Sequence, residues 1–339
     1  MATMKDIANA VGVSMTTVSN VIHGNYDRVS PKTVARIQQA IEAMHYVPNM
    51  SARALVSHSP RIIAYVDWHS PQENYSNNGF SGTMLCRIEN VVTTHGYYLM
   101  VRRDTDEQAL RLMITTWNPD GVIFKDCVPP SLIAFVRSLD KPCVAINTYL
   151  PDPDLVQVHA ADYDGGRIAT EHLLALGHRD IVFIGAINRG FQNIDLRYQA
   201  HCDALRAAGI APDPANLIDS LHPFRADSAI DMGRQLARRG GFTAICVSGD
   251  QYAVAVMTGL RESGVRIPQD VSIIGFDDTD IARMCVPPLT TIRQDGVSKG
   301  ERAAEALFAL MDGQSPDPQD FTLPVRLVVR ESTGTVPGR

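Results

Sequence analysis

Met4-Lys5-Asp6-Ile7-Ala8-Asn9-Ala10-Val11-Gly12-Val13-Ser14-Met15-Thr16-Thr17-Val18-Ser19-Asn20-Val21-Ile22 is the stretch on which the reading of this chain turns. It reads as two short helices joined by a tight turn. Thr3 is placed to N-cap the first helix, with Asp6 as its capping-box partner, and Ile7, Ala8 and Val11 recur on one face at helical spacing. Gly12 interrupts the pattern and supplies the backbone angles that a short interhelical turn needs. Val13 fills the angle between the helices, Ser14 caps the second helix, and Val18, Val21 and Ile22 face inward. The outward residues Met15, Thr16, Ser19 and Asn20 are small, polar and uncharged, apart from the methionine. Such a face suits a helix lying in a DNA major groove, where Asn pairs with adenine and Thr or Met touches a thymine methyl. An ordinary amphipathic helical hairpin has the same spacing, and on these residues alone the two readings stand level.

The next thirty residues shift the balance. Ser30-Pro31 is an N-cap followed by a proline suited to the first helical position. A third helix runs to about Tyr46, with Val34, Ile37, Ile41 and Met44 inward. With it the chain resembles the lac repressor and galactose repressor family of bacterial transcription regulators. The resemblance is carried by Asp6-Ile7-Ala8, Gly12-Val13-Ser14, Thr17-Val18-Ser19, Val29-Ser30, Lys32-Thr33, Tyr46-Val47-Pro48-Asn49, and Ala52-Arg53 with Leu55. It resumes at Asp164-Gly165-Gly166, Leu173 to His178, Pro268 to Ser272, Gly275-Phe276-Asp277-Asp278 and Pro287 to Ile292, so that it covers nearly the whole chain.

The resemblance implies an all-α helix-turn-helix DNA-binding domain over residues 1–48 and a hinge helix with linker over 49–60. It implies an α/β core over 61–336, periplasmic-binding-protein-like, with two lobes of doubly wound parallel sheet and three chain crossings between them. Lobe one would take about 62–160 and 293–321, and lobe two about 161–292 and 322–336. DNA contacts are expected from Thr3, Ser14, Met15, Thr16, Thr17, Ser19, Asn20, Arg28, Ser30 and Lys32, and in the hinge from Asn49, Ala52, Arg53 and Leu55. In the family the hinge becomes helical only on specific DNA, where a leucine matching Leu55 pries a base step apart. A plain linker whose Leu55 packs on the body is the alternative.

Charge is unevenly distributed in a way that fits this division. The net charge of −6 hides a head, residues 1–61, with six Lys or Arg against three Asp or Glu, and a remainder with 25 against 34. A mildly basic head on an acidic body is the asymmetry of a DNA-binding module attached to a sensor. Two such heads per site would reinforce a modest electrostatic affinity. The tail after Ser332 lacks the leucine heptads that the tetrameric member of the family uses, so a homodimer is expected. Six scattered cysteines without metal spacing point to reduced, buried thiols in a cytoplasmic protein. No apolar signal segment or membrane-length run is visible, which argues against the rival reading as a secreted solute-binding protein.

From Arg61 onward short apolar runs alternate with helical patterns: Ile62–Val66, Tyr98–Val101, Gly121–Phe124 and Cys143–Ile146, then Ile181–Ile184, Leu217-Ile218, Ala244–Val247 and Ser272–Phe276. This rhythm predicts parallel sheets with helices on both faces. Two tandem α/β lobes make a cleft between them that suits a small effector. Strand-to-helix loops bring candidates to it: Asn147, Arg197, Asp250 and Asp277, whose amide, guanidinium and carboxylate groups suit a hydroxyl-rich ligand. Phe80, Phe224 and Trp68 could stack on a sugar ring. The family match assigns effector contacts to Arg197 and Asp277 and an aromatic cover to Phe224. Helix capping is the alternative for Asp250 and Asp277, and core packing for the two phenylalanines. There is no Gly-x-Gly-x-x-Gly, P-loop, zinc spacing or nucleophile elbow, so neither an enzyme nor a cofactor is expected. The partners read from the sequence are operator DNA, a sugar-like effector and a second copy of the chain, with no membrane.

Overall fold

The chain divides into two compact units, Met1–Pro60 and Arg61–Arg339, and the computed structural model describes residues 2–22, 24–46, 59–69, 79–188, 190–220 and 224–336. In the first unit, helix Met4–Val11 opens on the expected capping box: the Thr3 backbone N–H donates to Asp6 Oδ2 at 2.8 Å and the Asp6 N–H to Thr3 Oγ1 at 3.3 Å. It closes at Gly12, whose φ of 71° is left-handed, a conformation that costs an L-residue with a Cβ roughly 1–2 kcal/mol. Helix Met15–Ile22 follows, with Ser14 Oγ accepting the Thr17 N–H at 3.1 Å. A 3₁₀ turn at Tyr26–Arg28 leads to helix Pro31–Ala43, capped by Ser30.

That third helix ends before Tyr46. His45 turns left-handed at φ 46°, and the Tyr46 N–H donates back to the Ile41 carbonyl at 3.0 Å. This is a Schellman closure, and it lays Tyr46 on the small core of Ile7, Ala8, Val11, Val18, Val21 and Ile37, where Val13 and Met44 also pack. Arg36 reaches across to the Val11 carbonyl at 2.6 Å, satisfying an end group the first helix cannot pair internally. The hinge candidates Asn49, Ala52, Arg53 and Leu55 lie outside the described residues.

The second unit holds two six-stranded sheets. The first runs in the order Asp320–Leu323, Val156–Ala160, Cys143–Ile146, Gly121–Lys125, Ile62–Asp67, Tyr98–Arg103, with all pairs parallel. The second runs Arg326–Val328, Thr290–Arg293, Ser272–Asp277, Ala244–Val247, Ile181–Gly185, Leu217–Asp219, parallel except for the Arg326–Val328 edge. Central strands are buried on both faces. Ile63 and Tyr65 pack with Ile88 and Leu307 on one side, while Ala64 and Val66 pack with Leu110 and Ile133 on the other. Continuous apolar runs are what a helix-covered parallel sheet requires.

The chain passes between the sheets three times, after Ala160, after Arg293 and after Leu323. Arg293 still pairs with Asp277 in the second sheet, and Leu323 with Ala160 in the first, so the last two crossings fall slightly later than the resemblance placed them. Helix Gly296–Met311 returns to the first lobe and packs beside helix Gly79–Thr94, with Gly300 against the Met84 backbone. All six cysteines are free thiols, but only Cys143, Cys202 and Cys246 are buried; Cys86 is exposed. No helix among the described residues is long and apolar enough to cross a membrane.

In lobe two, helices Ala226–Arg239 and Asp250–Glu262 cross at a pair of glycines. A Cβ on Gly259 would overlap the Ile230 carbonyl oxygen, and one on Gly233 the Val256 carbonyl oxygen. Both obstacles are backbone and cannot swing aside. Gly259→Ala should therefore destabilise the protein by roughly 1–3 kcal/mol, read as a lowered melting temperature by circular dichroism. An unchanged melting temperature would show that the two helices separate at little cost.

Candidate functional site

Two surfaces carry the candidate residues. On the first unit, Met15 is half exposed and Thr16 is exposed, while Ser19 and Asn20 are half-buried on the same helix. Arg28 ends the 3₁₀ turn and Lys32 sits in the first turn of the third helix, both exposed. Four of the six hydroxyl candidates, Thr3, Ser14, Thr17 and Ser30, are already engaged. Thr3 Oγ1 bonds Asp6, Ser14 bonds Thr17 at 2.8 Å, and Ser30 bonds Thr33 at 2.8 Å. Capping does not disqualify them, because a capped helix N-terminus presents backbone N–H groups to an anion. The second helix offers a neutral outer face, and Arg28 and Lys32 carry exposed positive charge on the same unit.

On the second unit a cleft of about 1030 Å³ opens between the lobes. His69, Phe80, Lys125, Asp126 and Asn147 line it from lobe one; Phe191, Arg197, Phe224, Tyr252 and Asp277 line it from lobe two; Gln294 lies at the second crossing. The strand ends are bent to face it. Asp126, Asn147, Asp277 and Asp278 all have positive φ, 64°, 56°, 115° and 55°. Residues held in such conformations concentrate at ligand sites.

Arg197 is buried. Its Nε donates to Asp162 Oδ1 at 2.7 Å, one terminal nitrogen donates to the Ser248 carbonyl at 2.7 Å, and the guanidinium lies over the Phe276 ring. Two glycines make this possible. A Cβ on Gly166 would overlap the Arg197 backbone, and one on Gly165 the Phe276 ring. Helix Asp162–Ala175 can therefore press close enough for Asp162 to reach the guanidinium. From lobe one, the Tyr149 hydroxyl donates to the other Asp162 oxygen, and its ring stacks on His159 at 4.3 Å. Burial, the Asp162 charge and this bond all push the Tyr149 phenol far up.

Lobe one holds a second compensated cluster. Lys125 is buried between Asp67, at 3.3 Å, and Asp126, and His69 Nδ1 lies 2.7 Å from Asp67. Burial alone would raise the Asp67 carboxyl, but Lys125 and His69 overcome it and bring it down to about 2. Asp67, His69 and Asp126 could together offer three metal ligands, yet the Lys125 ammonium already sits among the carboxylates. The cluster is an internal salt bridge.

Of the six effector candidates, five reach the cleft: Phe80, Asn147, Arg197, Phe224 and Asp277. Asp250 does not. It is fully buried beneath the floor, where Oδ2 accepts the Thr279 N–H at 2.8 Å and Oδ1 the Thr291 hydroxyl at 2.6 Å. It does not cap its own helix either, since Gly249 holds that position; it pins the turn after Asp277 instead. Trp68 also turns away and packs on the core behind the first sheet. His69, Lys125, Asp126 and Gln294 were not singled out from sequence. Lys125-Asp126 directly ends an apolar strand, the same signal that marked Asn147.

Asp250 and Asp277 both hold their protons unusually well. Burial raises Asp250 to about 7, helped by the Asp277 charge and opposed by the Thr291 and Thr279 bonds. Burial raises Asp277 to about 6 against the pull of Arg197, Gln294 and Lys299. A carboxyl whose folded pKa is raised lends stability that is complete below its unfolded pKa and lost as pH rises through the folded value. Buried His201, pushed down to about 4, titrates with the opposite sign. The informative quantity is therefore the difference from a variant. Asp250→Asn should gain stability relative to wild type as pH rises from about 5 to about 7.5, measured by denaturant unfolding at both values. A difference that does not change with pH would mean that Asp250 is ionised throughout.

Comparison with known proteins places both surfaces in context. Residues 3–49 match the bacterial regulatory proteins of the lacI family, and residues 170–333 match a periplasmic binding protein-like domain. The transcriptional regulator GalR of Escherichia coli (strain K12) is 30% identical over 99% of this chain and 96% of its own length. The regulator DegA of Bacillus subtilis (strain 168) is 32% identical over 98% of each. The lac repressor dimer bound to operator and the anti-inducer ONPF superposes with a TM-score of 0.84 at 26% identity, covering 98% of this chain and 99% of that one. The regulator CelR in complex with cellobiose gives 0.73 at 26% identity, covering 98% and 100%.

Proposed function

The chain belongs to the lacI family of bacterial regulatory proteins, and from that premise we propose that it is a dimeric transcriptional repressor that binds a near-palindromic operator and is switched by a neutral, sugar-like effector. The observation that carries the effector class is the compensated floor of the cleft. Lys125 is matched by Asp67 and Asp126, and Arg197 by Asp162. A free anion would find Lys125 and Arg197 already paired. A polyol would find fixed donors and acceptors, with Phe80, Phe191, Phe224 and Tyr252 as walls for the apolar faces of its rings. CelR with cellobiose is a family example of a sugar at such a regulator.

In this reading the effector selects one angle between the lobes, and the angle sets the spacing of the paired hinges formed by residues 49–60. Ligand response is then a difference in effector affinity between two arrangements, seen at the DNA as a change in affinity. The protein works in the cytoplasm and catalyses no reaction. Thermal-shift screening against a carbohydrate library tests the effector class, since a ligand that binds only the folded state raises the apparent stability.

Two further outcomes are expected from the placement of the residues. On the DNA side, Asn20→Ala should relax the preference at one position of each half-site by roughly 1–3 kcal/mol, whereas Lys32→Ala should weaken all sequences alike. Competition binding against operator variants checks this, and a uniform loss for Asn20→Ala would exclude it from base reading.

On the effector side, Arg197→Ala is a poor probe, because it leaves Asp162 buried without its partner at roughly 3–5 kcal/mol. Asp277→Asn keeps the shape and the bond to Gln294. It should bind operator normally without effector, yet need about tenfold more of the screened sugar to respond, as expected for losing a charge-assisted bond of roughly 1.5–3 kcal/mol. A wild-type dose response would remove Asp277 from the effector contacts.

A further inference from the structure

Five side chains run without a break across the floor of the cleft, from one lobe to the other. At the centre is Lys299, 1% exposed on helix Gly296–Met311, which comes directly after the second crossing. Its ammonium donates to Asn147 Oδ1 at 3.0 Å and to Gln294 Oε1 at 2.9 Å. Each amide then donates outward to a carboxylate: Asn147 Nδ2 to Asp126 Oδ1 at 3.0 Å in lobe one, and Gln294 Nε2 to Asp277 Oδ1 at 2.5 Å in lobe two. The order is carboxylate, amide, ammonium, amide, carboxylate. An ammonium can only donate and an ionised carboxylate can only accept, so each amide can stand only one way round.

Such a chain is expensive to build into an interior. Burying an ammonium carries a desolvation penalty that an apolar side chain at the same position would avoid. Both hydrogen-bond partners of Lys299 are neutral amides, and the Phe80 ring lies 5.4 Å from its nitrogen. Burial draws its pKa down to about 8, which leaves it charged at neutral pH. Asp277 and Asn147, which Gln294 and Lys299 bind in this way, also line the cleft.

We propose that this relay is an interlobe latch in which Lys299 holds the lobes in one relative arrangement while the cleft is empty, and that a ligand hydrogen-bonding Asp277 or Asn147 competes for the same atoms and releases it. Gln294 is the moving link. It stands on a crossing, takes Lys299 of lobe one through its oxygen, and gives its N–H to Asp277 of lobe two. Lys299 is thus a positioning residue for the sensor. The inference takes the cleft as the sensor site, but its test needs neither ligand nor DNA, so the two ideas fail separately.

The test compares Lys299→Met with Gln294→Glu in the full-length, ligand-free protein at pH 7.5, by hydrogen–deuterium exchange. The carboxylate introduced by Gln294→Glu would give the buried ammonium a better acceptor but would lose the N–H that reaches Asp277. If Lys299 only needs its charge satisfied, Gln294→Glu should exchange like wild type or more slowly. If the relay is a latch, both variants should speed exchange about tenfold at the crossings near residues 161, 294–296 and 324–326, with strand Ile181–Gly185 and helix Pro31–Ala43 unchanged. Acceleration confined to the crossings in Gln294→Glu supports the latch, and wild-type or slower exchange there overturns it. Should Lys299→Met loosen the whole second unit, Gln294→Glu alone decides.

Discussion

A guanidinium cannot be buried without its counter-charge, and lobe two is arranged around one that is. Arg197 draws in Asp162, which begins a new helix just where the chain first crosses between lobes. The pairing works only because Gly165 and Gly166 let that helix lie against Phe276 and the Arg197 backbone. Asp162 then takes Tyr149 from lobe one, and Tyr149 stacks on His159. One ion pair therefore fixes a helix position, a crossing point and a contact between lobes. Removing either member alone would leave several kcal/mol of uncompensated charge, whereas the pair together presents a fixed, preoriented donor to the cleft.

Much of this was legible in the sequence, for physical reasons that differ from element to element. The head was readable because its signals are local. A cap, a glycine and an apolar stripe each act within a few residues, and Thr3, Gly12 and Ser30 sit in the conformations their chemistry suggests. The central strands were readable because burial on both faces demands unbroken apolar runs such as Ile62–Val66. Strand Val156–Ala160 was not, since its Gln157 and His159 are polar: Gln157 exchanges bonds with the Leu150 backbone in the preceding loop, and His159 Nε2 pairs with Asp320 far along the chain. The same limit hid Lys299, which reads as the polar face of a helix until its partners on two other segments are known. Asp250 misled in the opposite direction. Its place after a strand fits a ligand residue, but Thr279 and Thr291, far along the chain, draw its carboxylate inward. Family resemblance could carry Arg197 and Asp277, because those positions match the family's pattern; it could not carry Lys125, whose role depends on Asp67 and Asp126 around it.

The head shows how a small domain divides its polar groups between stability and recognition. Its hydroxyls cap helices, and those bonds matter because few apolar residues make the core. In the proposed function the groups left for recognition are the amide of Asn20, the thioether of Met15 and the hydroxyl of Thr16. A face of this kind discriminates by shape and hydrogen-bond pattern. Phosphate attraction from so few cations is weak, so in the proposed dimer the second head would add to the affinity.

The cleft imposes a condition on any ligand that switches it. A ligand that binds both lobe arrangements equally shifts nothing, however tightly it binds. In the proposed latch, the groups that differ between arrangements are the members of the chain joining the lobes: Asn147 and Lys299 in lobe one, Gln294 at the crossing and Asp277 in lobe two. An apolar molecule held by the Phe224 and Tyr252 walls would contact one lobe and leave those bonds as they are. A ligand with several hydroxyls, spaced to meet Asn147 and Asp277 together, would compete for the bonds of the proposed relay. In the proposed latch, hydroxyl spacing, more than total affinity, is what distinguishes an effector from a mere binder.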